Sequence, residues 1–394
     1  MHLDINMFFA SVEINENPLL RDKVMAVAGD ESRRGGVILT ASYEARKWGI
    51  KAGMSNRDAL HLYPSLLMVP PRMDLYKGYS EKVMNILRNY TYKVEQFSID
   101  EAWLDITDII SIDNTAYDIA FEIKERVKYE IGITVSVGLS YCKVLAKLAS
   151  DTASIDSIYK IDQDILRTIV WKMPIKELLG VGKKTKEKLH AMNIYTIGEL
   201  ANTDIALLKA VLKKSGEQLW KHANGFDKSE VNYIKSFPKS ISNAHTARKD
   251  IYTLTEAKRM LLLLSEHVGM RLRKYKATAT VISITVKTND FNSYTRQKKL
   301  VGSTCTTNRI YDEAIQLLLN NWDAKKPIRL LGVAISDIQY YEEQISFSSL
   351  VNDKEFKDET IDCIIDSINM KYNKTIITRA GILETHKIYD VNYD

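Results

Sequence analysis

Three acidic residues of the sequence stand where carboxylates are costly. Asp100 and Glu101 are neighbours in EQFSIDEAWLDITD, at the tip of a predicted β-hairpin, and Asp4 is embedded in the predicted strand HLDIN. Adjacent carboxylates repel each other and weaken strand pairing. Cations would neutralise them, and oxygen ligands favour Mg²⁺ or Mn²⁺. Two such ions can activate a hydroxyl and stabilise the leaving group of a phosphoryl transfer. The alternative is a surface hairpin with ordinary turn acids.

The predicted elements around these acids follow the order strand, insert, helix, hairpin, helix, strand. Apolar spacing predicts a helix over 75–92, and Asp113 is expected to cap the next helix. Strict alternation in IGITVSVGLS predicts a half-buried strand. This order is typical of a ferredoxin-like sheet with helices on one face. In that sheet the first strand lies beside the hairpin, so we expect Asp4 next to Asp100 and Glu101.

A second group of residues could bind phosphates. TASYEARKWG contains Thr40, Tyr43 and Arg46, and the last two fall on one face of a predicted helix that begins just after Thr40. A hydroxyl, a phenol and a guanidinium on one side would suit a triphosphate. Helix capping with a surface arginine explains this stretch equally well.

The stretch LLGVGKKTKEKL predicts a helix-hairpin-helix. Gly180 and Gly182 would expose backbone N–H groups that bind one DNA phosphate, and Lys183 and Lys184 would add positive charge. A plain helix-turn-helix with a glycine cap is the alternative.

Length and composition limit the possible number of domains and the class of protein. A chain of 394 residues suggests two to four domains. The net charge of +5 is mildly basic, with lysine- and arginine-rich runs in the middle of the chain. Three widely spaced cysteines, no membrane-length apolar run and no signal-peptide pattern favour a cytoplasmic protein without a membrane partner.

Taken together and in order, these motifs resemble the Y family of translesion DNA polymerases. The matching stretches are LDINMFFASVE, TASYEARKWGIKAGM, FSIDEAWLDIT, GLSYCKVLAKLAS, LLGVGKKTKEKL and KSISNAHT. The resemblance implies an α+β fold: a ferredoxin-like palm with a fingers insert, a helical thumb with the helix-hairpin-helix, and an α+β little-finger domain. The expected boundaries are 1–10 and 73–163 for the palm, 11–72 for the fingers, 164–230 for the thumb, 231–240 for a linker, 241–341 for the little finger and 342–394 for a C-terminal tail.

The resemblance also assigns residues. It implies that Asp4, Asp100 and Glu101, with the backbone carbonyl of Ile5, hold two Mg²⁺ ions, for which Mn²⁺ can substitute. Other matching residues are implied to bind the incoming dNTP: Phe9 as the steric gate against a 2′-hydroxyl, Phe8 beside it, and Thr40, Tyr43 and Arg46 at the triphosphate. Periodicity alone would make both phenylalanines core residues. Ser98, Lys143 and Lys147 fall in matching motifs without an assigned role.

One position departs from the family pattern. Ser154 stands where the family has a basic residue that touches the triphosphate. Either nucleotide binding is weaker or another cation, such as Lys160, compensates.

The stretch YEEQISFSSL resembles the peptide by which these polymerases bind the sliding clamp. Gln344, Ile345 and Phe347 are the expected anchors, because an extended peptide with apolar side chains can fill a hydrophobic cleft. Ser348 replaces a commonly large apolar residue, and an ordinary linker is the alternative.

The leading functional hypothesis is template-directed DNA synthesis by a monomer acting on primer-template DNA and dNTPs, with low fidelity past damaged bases. The alternative is a catalytically weak DNA-binding scaffold that the sliding clamp recruits to stalled forks. A helix-hairpin-helix nuclease ranks last because it would leave TASYEAR unexplained.

Overall fold

The computed structural model describes residues 1–29, 36–234, 237–340, 353–372 and 375–382. The chain divides into two compact units, Met1–Lys235 and Ser236–Asp394. Each unit contains an apolar core built on a β-sheet. Among the helices of these described ranges, none is long and apolar enough to cross a membrane.

A five-stranded sheet forms the centre of the first unit. Strand β1 (His2–Ile5) pairs antiparallel with β6 (Glu101–Leu104) on one side and with β7 (Val135–Leu139) on the other. Strand β5 (Val94–Gln96) completes the hairpin with β6, and β8 (Ile158–Lys160) adds a parallel strand beside β7. The strand order is β5-β6-β1-β7-β8. The first strand therefore lies beside the hairpin, as the ferredoxin-like order predicts.

The two faces of this sheet differ because side chains alternate along each strand. Leu3 and Ile5 lie in the apolar core, with α1 (Phe8–Glu16), α4 (Met73–Arg88) and α5 (Ala116–Arg126). His2 and Asp4 lie on the opposite face, where α6 (Lys143–Thr152) packs. Strand β7 is consequently buried on both faces, which corrects the half-buried strand, with helices on one face only, that its alternating sequence predicts.

The helices that back the apolar face follow the predicted periodicity. The buried residues of α4 lie on one face of the helix and are Tyr76, Tyr79, Ser80, Val83, Met84, Ile86 and Leu87. The predicted cap of α5 is wrong by two residues: Thr115, not Asp113, occupies the N-cap position, because it forms a reciprocal capping box with Asp118.

A three-stranded sheet, in the order β3-β2-β4, supports the insert between β1 and α4. Its strands are β2 (Met25–Ala28), β3 (Ile38–Ala41) and β4 (Leu67–Val69), and the helices α2 (Tyr43–Lys47) and α3 (Asn56–Leu62) pack on it. The Ser42 hydroxyl caps α2 and donates to the Lys23 carbonyl at 2.9 Å. This cap fixes the direction in which α2 leaves the sheet.

Short helices follow β8 and complete the first unit. The Gly-Val-Gly turn is preceded by a single 3₁₀ turn, Ile175–Glu177, rather than a full α-helix. Gly180 has φ of 96°, a left-handed conformation that suits glycine. The helices of this segment are α7 (Gln163–Thr168), α8 (Lys183–Ala191), α9 (Ile197–Ala201), α10 (Ile205–Leu212) and α11 (Lys214–Ala223).

The second unit is a four-stranded antiparallel sheet backed by helices. Its strands are β9 (Ser240–Ile251), β10 (Ala277–Thr288), β11 (Ser293–Thr304) and β12 (Ile328–Tyr340), in the order β11-β10-β12-β9. Helices α12 (Leu254–Lys274) and α13 (Thr307–Leu319) pack on it, and α12 begins with a capping box between Thr253 and Glu256 in the stretch TLTE.

One more helix, α14 (Asp353–Lys371), contacts α12 and α13. Its inward contacts are ionic: Asp362 pairs with Arg273 at 3.0 Å and Glu355 with Arg309 at 2.8 Å. The α+β fold class, with a ferredoxin-like sheet, a helical segment and a second α+β unit, is confirmed.

Candidate active site

The pairing of β1 with β6 brings the three predicted acids to one edge of the five-stranded sheet. Asp4 lies directly opposite Glu101 in the antiparallel register. The Ile5 N–H donates to the Asp100 carbonyl at 3.0 Å, so the pairing continues to the hairpin tip. Local sequence supplied the acids, and strand register places them together.

Ser98 orients Asp100. Its hydroxyl donates to Asp100 Oδ1 at 2.5 Å, and the Asp100 N–H donates back to the same hydroxyl at 3.3 Å. A serine two residues before an acid forms a small turn of this kind. Ser98, which had no assigned role, thus holds the acid at the hairpin tip.

Two further charged residues, which sequence reasoning missed as members of the site, reach the same edge from α6. Lys147 Nζ lies 2.6 Å from Glu101 Oε1, 2.8 Å from Asp151 Oδ1 and 3.6 Å from Asp4 Oδ2. Carboxylate oxygens of Asp4, Glu101 and Asp151 all lie within 4.8 Å of one another. A signal was available: Lys147 and Asp151 are four residues apart and interrupt the apolar helix KVLAKLASD.

The acids perturb one another electrostatically. Burial, a hydrogen bond with Glu101 and repulsion from the neighbouring acids raise the pKa of Asp4 to about 8, although Lys147 opposes them. Burial acts to raise the pKa of Glu101 too, but hydrogen bonds with Asp4 and Lys147 hold that pKa below its ordinary value. The pKa values of the two acids are therefore shifted in opposite directions, as is typical of carboxyl groups that share one site.

A cavity of about 410 Å³ opens beside the acids. The Arg46 guanidinium lies over the Tyr43 ring, 5.1 Å from its centroid, and its Nε donates to the Ala41 carbonyl at 3.1 Å. Arg46 is the cation that lines this cavity within the described residues. The structure thus brings these predicted site residues around one space: Asp4, Ile5, Phe8, Thr40, Tyr43, Arg46 and Asp100.

The two phenylalanines of α1 have different surroundings. Phe8 is 2% exposed, belongs to the apolar core and contributes to the cavity wall. Phe9 is partly buried, and its ring stacks on Tyr76 with centroids 4.4 Å apart and planes 14° apart. Stacking of this kind fixes the Phe9 ring in one orientation.

The segment around Ser154 lines the cavity without a basic side chain. Ala153 and Ile155 contribute to the wall, and the Ser154 carbonyl accepts from the Ser136 hydroxyl at 3.0 Å. Lys160 lies on β8, is largely exposed and contributes to a different cavity. In this structure Lys160 does not take the place of the missing basic residue.

The glycine turn presents the start of α8 to solvent. Gly182 is the N-cap, and Gly182, Lys183 and Lys184 are all exposed. The N–H groups of the first turn of a helix attract anions, and the two lysines add positive charge. The clamp-binding prediction at Gln344, Ile345 and Phe347 lies outside the described residues.

Comparisons with known proteins match most of this chain. The impB/mucB/samB family model matches residues 3–151, its C-terminal domain model matches 238–347, and a DNA polymerase-iota thumb-domain model matches 176–227. DNA polymerase IV of Clostridium kluyveri is 39% identical over 98% of both chains. This chain belongs to the Y family of DNA polymerases.

Other Y-family members support the same placement. DNA polymerase IV of Clostridium acetobutylicum is 36% identical over 97% of this chain and 98% of its own. A solved Y-family polymerase chimera matches 86% of this chain and 99% of its own with a TM-score of 0.77 at 26% identity. An insertion ternary complex of Dbh DNA polymerase gives a TM-score of 0.60 at 25% identity over the same shares. The protein is a DNA-directed DNA polymerase.

The acidic edge of the polymerase fits a divalent cation. Its donors are hard carboxylate oxygens, and Lys147 is the positive charge that the described residues place among them. Mg²⁺ and Mn²⁺ prefer such ligands.

Proposed function

We propose that this polymerase performs two-metal nucleotidyl transfer and copies DNA past damaged bases with low fidelity. The observation that carries the proposal is the cavity that joins Asp4 and Asp100 to Thr40, Tyr43 and Arg46. Acids that bind metal ions and groups that bind phosphates must share one space for a nucleotide to react there. The scaffold alternative is not favoured, since the acids and the cavity are both in place.

In the proposed reaction the primer 3′-oxygen forms a bond to the α-phosphorus of a dNTP. The bond from that phosphorus to the oxygen that bridges it to the β-phosphate breaks, the 3′-hydroxyl gives its proton to solvent, and pyrophosphate leaves with the bridging oxygen. Asp4, Asp100, Glu101 and the Ile5 carbonyl would hold two Mg²⁺ ions, or Mn²⁺ in their place. When bound, such ions lower the pKa of the attacking hydroxyl and neutralise charge on the leaving group.

The cavity residues would orient the nucleotide. Arg46 can form charge-assisted hydrogen bonds to phosphate oxygens, with Thr40 and Tyr43 as further donors. Phe9, fixed by its stack on Tyr76, would exclude a 2′-hydroxyl and so select deoxyribonucleotides.

DNA would be held through its backbone. The exposed Gly182, Lys183 and Lys184 offer N–H groups and charge to one phosphate. In the second unit, Lys287 and Arg329 lie over the Phe291 ring at 4.6 and 4.7 Å and add positive charge near strand ends. Contacts of this type do not read sequence, so binding should weaken steeply with salt.

We also propose a sliding clamp as a partner. The support is the sequence of residues 341–350, with Gln344, Ile345 and Phe347 as anchors. Replacing Gln344 and Phe347 by alanine should abolish stimulation of synthesis by the clamp while leaving clamp-free synthesis intact. Equal stimulation of both proteins would reject this partner.

Primer extension tests the main proposal. Wild type should extend a primer on undamaged and abasic templates with Mg²⁺, and Asp100→Asn should lose about a thousandfold in rate because several kcal/mol of metal-derived stabilisation disappear. Ser111→Ala, on a surface loop, is the control. Activity that survives in Asp100→Asn would reject the metal site, and failure on the abasic template alone would reject damage bypass.

A further inference from the structure

Lys147 lies inside the cluster of acids that the proposed function assigns to metal ions. Its ammonium contacts Glu101 and Asp151 and approaches Asp4, and the residue is 8% exposed. A buried lysine is stable only when acids surround it, so its position needs a reason.

The backbone around Lys147 is firmly anchored. Its carbonyl accepts from the Ser150 hydroxyl at 2.8 Å, and that hydroxyl bonds to His2 Nδ1 at 2.7 Å. Gly138 lets α6 pack closely on β7, because a Cβ there would collide with the Ala146 carbonyl. Tertiary packing of α6 on β7 thus places the ammonium of Lys147 at the sheet edge.

The charges at this edge do not balance. Among the residues that the structure describes, the carboxyl groups of Asp4, Glu101 and Asp151 converge around the single ammonium of Lys147. Asp100 stands beside them at the hairpin tip. The charge of one lysine holds these acids together but does not neutralise all of them. An added cation would therefore be attracted to the cluster.

Lys147 also pairs with Glu101, a carboxylate that a metal ion would take as a ligand. Its shortest contact, 2.6 Å, is to Glu101 Oε1. An oxygen that accepts a hydrogen bond from an ammonium at this distance is less available to a metal ion. Asp151, on the next turn of α6, offers Lys147 an alternative partner at 2.8 Å.

We propose that Lys147 is a positioning residue that acts as an internal counter-cation and sets the affinity of the site for divalent ions. Before an ion binds, Lys147 holds Glu101 and Asp151 together. When an ion arrives, Lys147 releases Glu101 and keeps Asp151. This inference rests on the proposed function, because it takes the acids to be metal ligands.

Direct Mn²⁺ binding to the DNA-free protein, measured by the electron paramagnetic resonance signal of free Mn²⁺, tests the inference without an activity assay. Lys147→Met should bind Mn²⁺ about tenfold more tightly, because a competing positive charge within a few ångströms is gone. Lys147→Arg keeps the charge and should stay within about threefold of wild type.

Two further variants make the test specific. Lys143→Met is the matched control, one turn earlier on α6, where Lys143 pairs with Glu95 at 2.6 Å outside the cluster; its Mn²⁺ affinity should equal that of wild type. Asp151→Asn removes the alternative partner of Lys147, so Mn²⁺ should bind about threefold more weakly. The opposite signs expected for Lys147→Met and Asp151→Asn would not arise from a general loss of structure.

The outcomes separate the two proposals. Unchanged or weaker Mn²⁺ binding by Lys147→Met, with wild type binding normally, would overturn the counter-cation role and leave the proposed function standing. If Lys147→Met does not fold, tighter or unchanged binding by Asp151→Asn overturns the role instead. Absence of Mn²⁺ binding by wild type, or binding that Asp100→Asn retains in full, would overturn the metal site itself and the inference with it.

Discussion

Each unit of the polymerase contains a cluster of buried or partly buried charged side chains, and the two clusters are built differently. In the second unit, Asp362 is 1% exposed, accepts from the Thr307 N–H at 2.8 Å and pairs with both Arg273 and Arg379. The arginines also pair with Asp366 at 2.7 Å and Glu266 at 3.1 Å. At the sheet edge of the first unit, by contrast, Lys147 faces several acids alone among the described residues.

The difference is that expected between a structural cluster, in the second unit, and the proposed metal site, the functional cluster of the first unit. Guanidinium groups make several directed hydrogen bonds at once, so the arginine cluster closes α14 onto its unit with its acids paired. An ammonium is a compact point charge that can exchange partners. A site meant to receive a cation must remain short of positive charge, and this shortage destabilises the protein until the cation binds.

The largest effect is expected from breaking the structural cluster. Asp362→Ala should destabilise the second unit by about 3–5 kcal/mol, because two arginines lose a buried partner. Urea unfolding followed by circular dichroism measures the change, with the exposed Lys357→Ala on the same helix as the control. A loss of less than about 1 kcal/mol in the free energy of unfolding is typical of exposed ion pairs. It would mean that the arginine cluster does not stabilise the second unit in the way proposed.

The cavity is also short of positive charge, since Arg46 is the cation that lines it within the described residues. Loss of Arg46 should therefore weaken dNTP binding. Arg46→Ala should raise the KM for dNTPs by about tenfold or more, because a charged hydrogen bond contributes about 1.5–3 kcal/mol. Steady-state kinetics of single-nucleotide insertion measures it. Lys47→Ala, the neighbouring exposed cation, should leave KM unchanged, and an equal rise in both variants would point to general electrostatics.

Loss of an acid should stabilise the functional cluster, whereas it should destabilise the structural cluster. Asp4→Asn should stabilise the metal-free polymerase by about 1 kcal/mol, because a neutral amide avoids both the burial of charge and the repulsion that raise the pKa of Asp4. Thermal unfolding in EDTA measures this gain, and the same scan with Mg²⁺ should stabilise wild type more than the variant. Destabilisation in EDTA would show that the acids are already balanced.

The smallest effect is expected from adding a cation. Ser154→Lys should lower the KM for dNTPs by about threefold, since an exposed charge contributes at most about 1 kcal/mol. Single-nucleotide insertion again measures it, with Ser157→Lys as a control placed three residues further along. No change in either variant would indicate that this polymerase binds the triphosphate without a charge at position 154.

Sequence patterns predicted those parts of the fold in which apolar residues face a core. The buried face of α4 and the strand order around Asp4 follow from periodicity and connectivity, and the Thr253–Glu256 capping box follows from local chemistry. Helix α14 was not predicted from the sequence, because the residues that contact the rest of its unit are acidic. Its apolar residues Ile361 and Ile364 are exposed, so apolar periodicity does not identify the buried face of this helix.

The sequence by itself determined which acids the candidate site contains: Asp4, Asp100 and Glu101 lie in predicted strands and a turn, where carboxylates weaken strand pairing. It also determined the family, through the order of its motifs. The pairing of Asp4 with Glu101, and the arrival of Lys147 and Asp151 from α6, came from the tertiary structure. The physical reason is that a charge cluster depends on distances between segments far apart in the chain. Strand register and the close packing of α6 on Gly138 set those distances, and no local pattern encodes them.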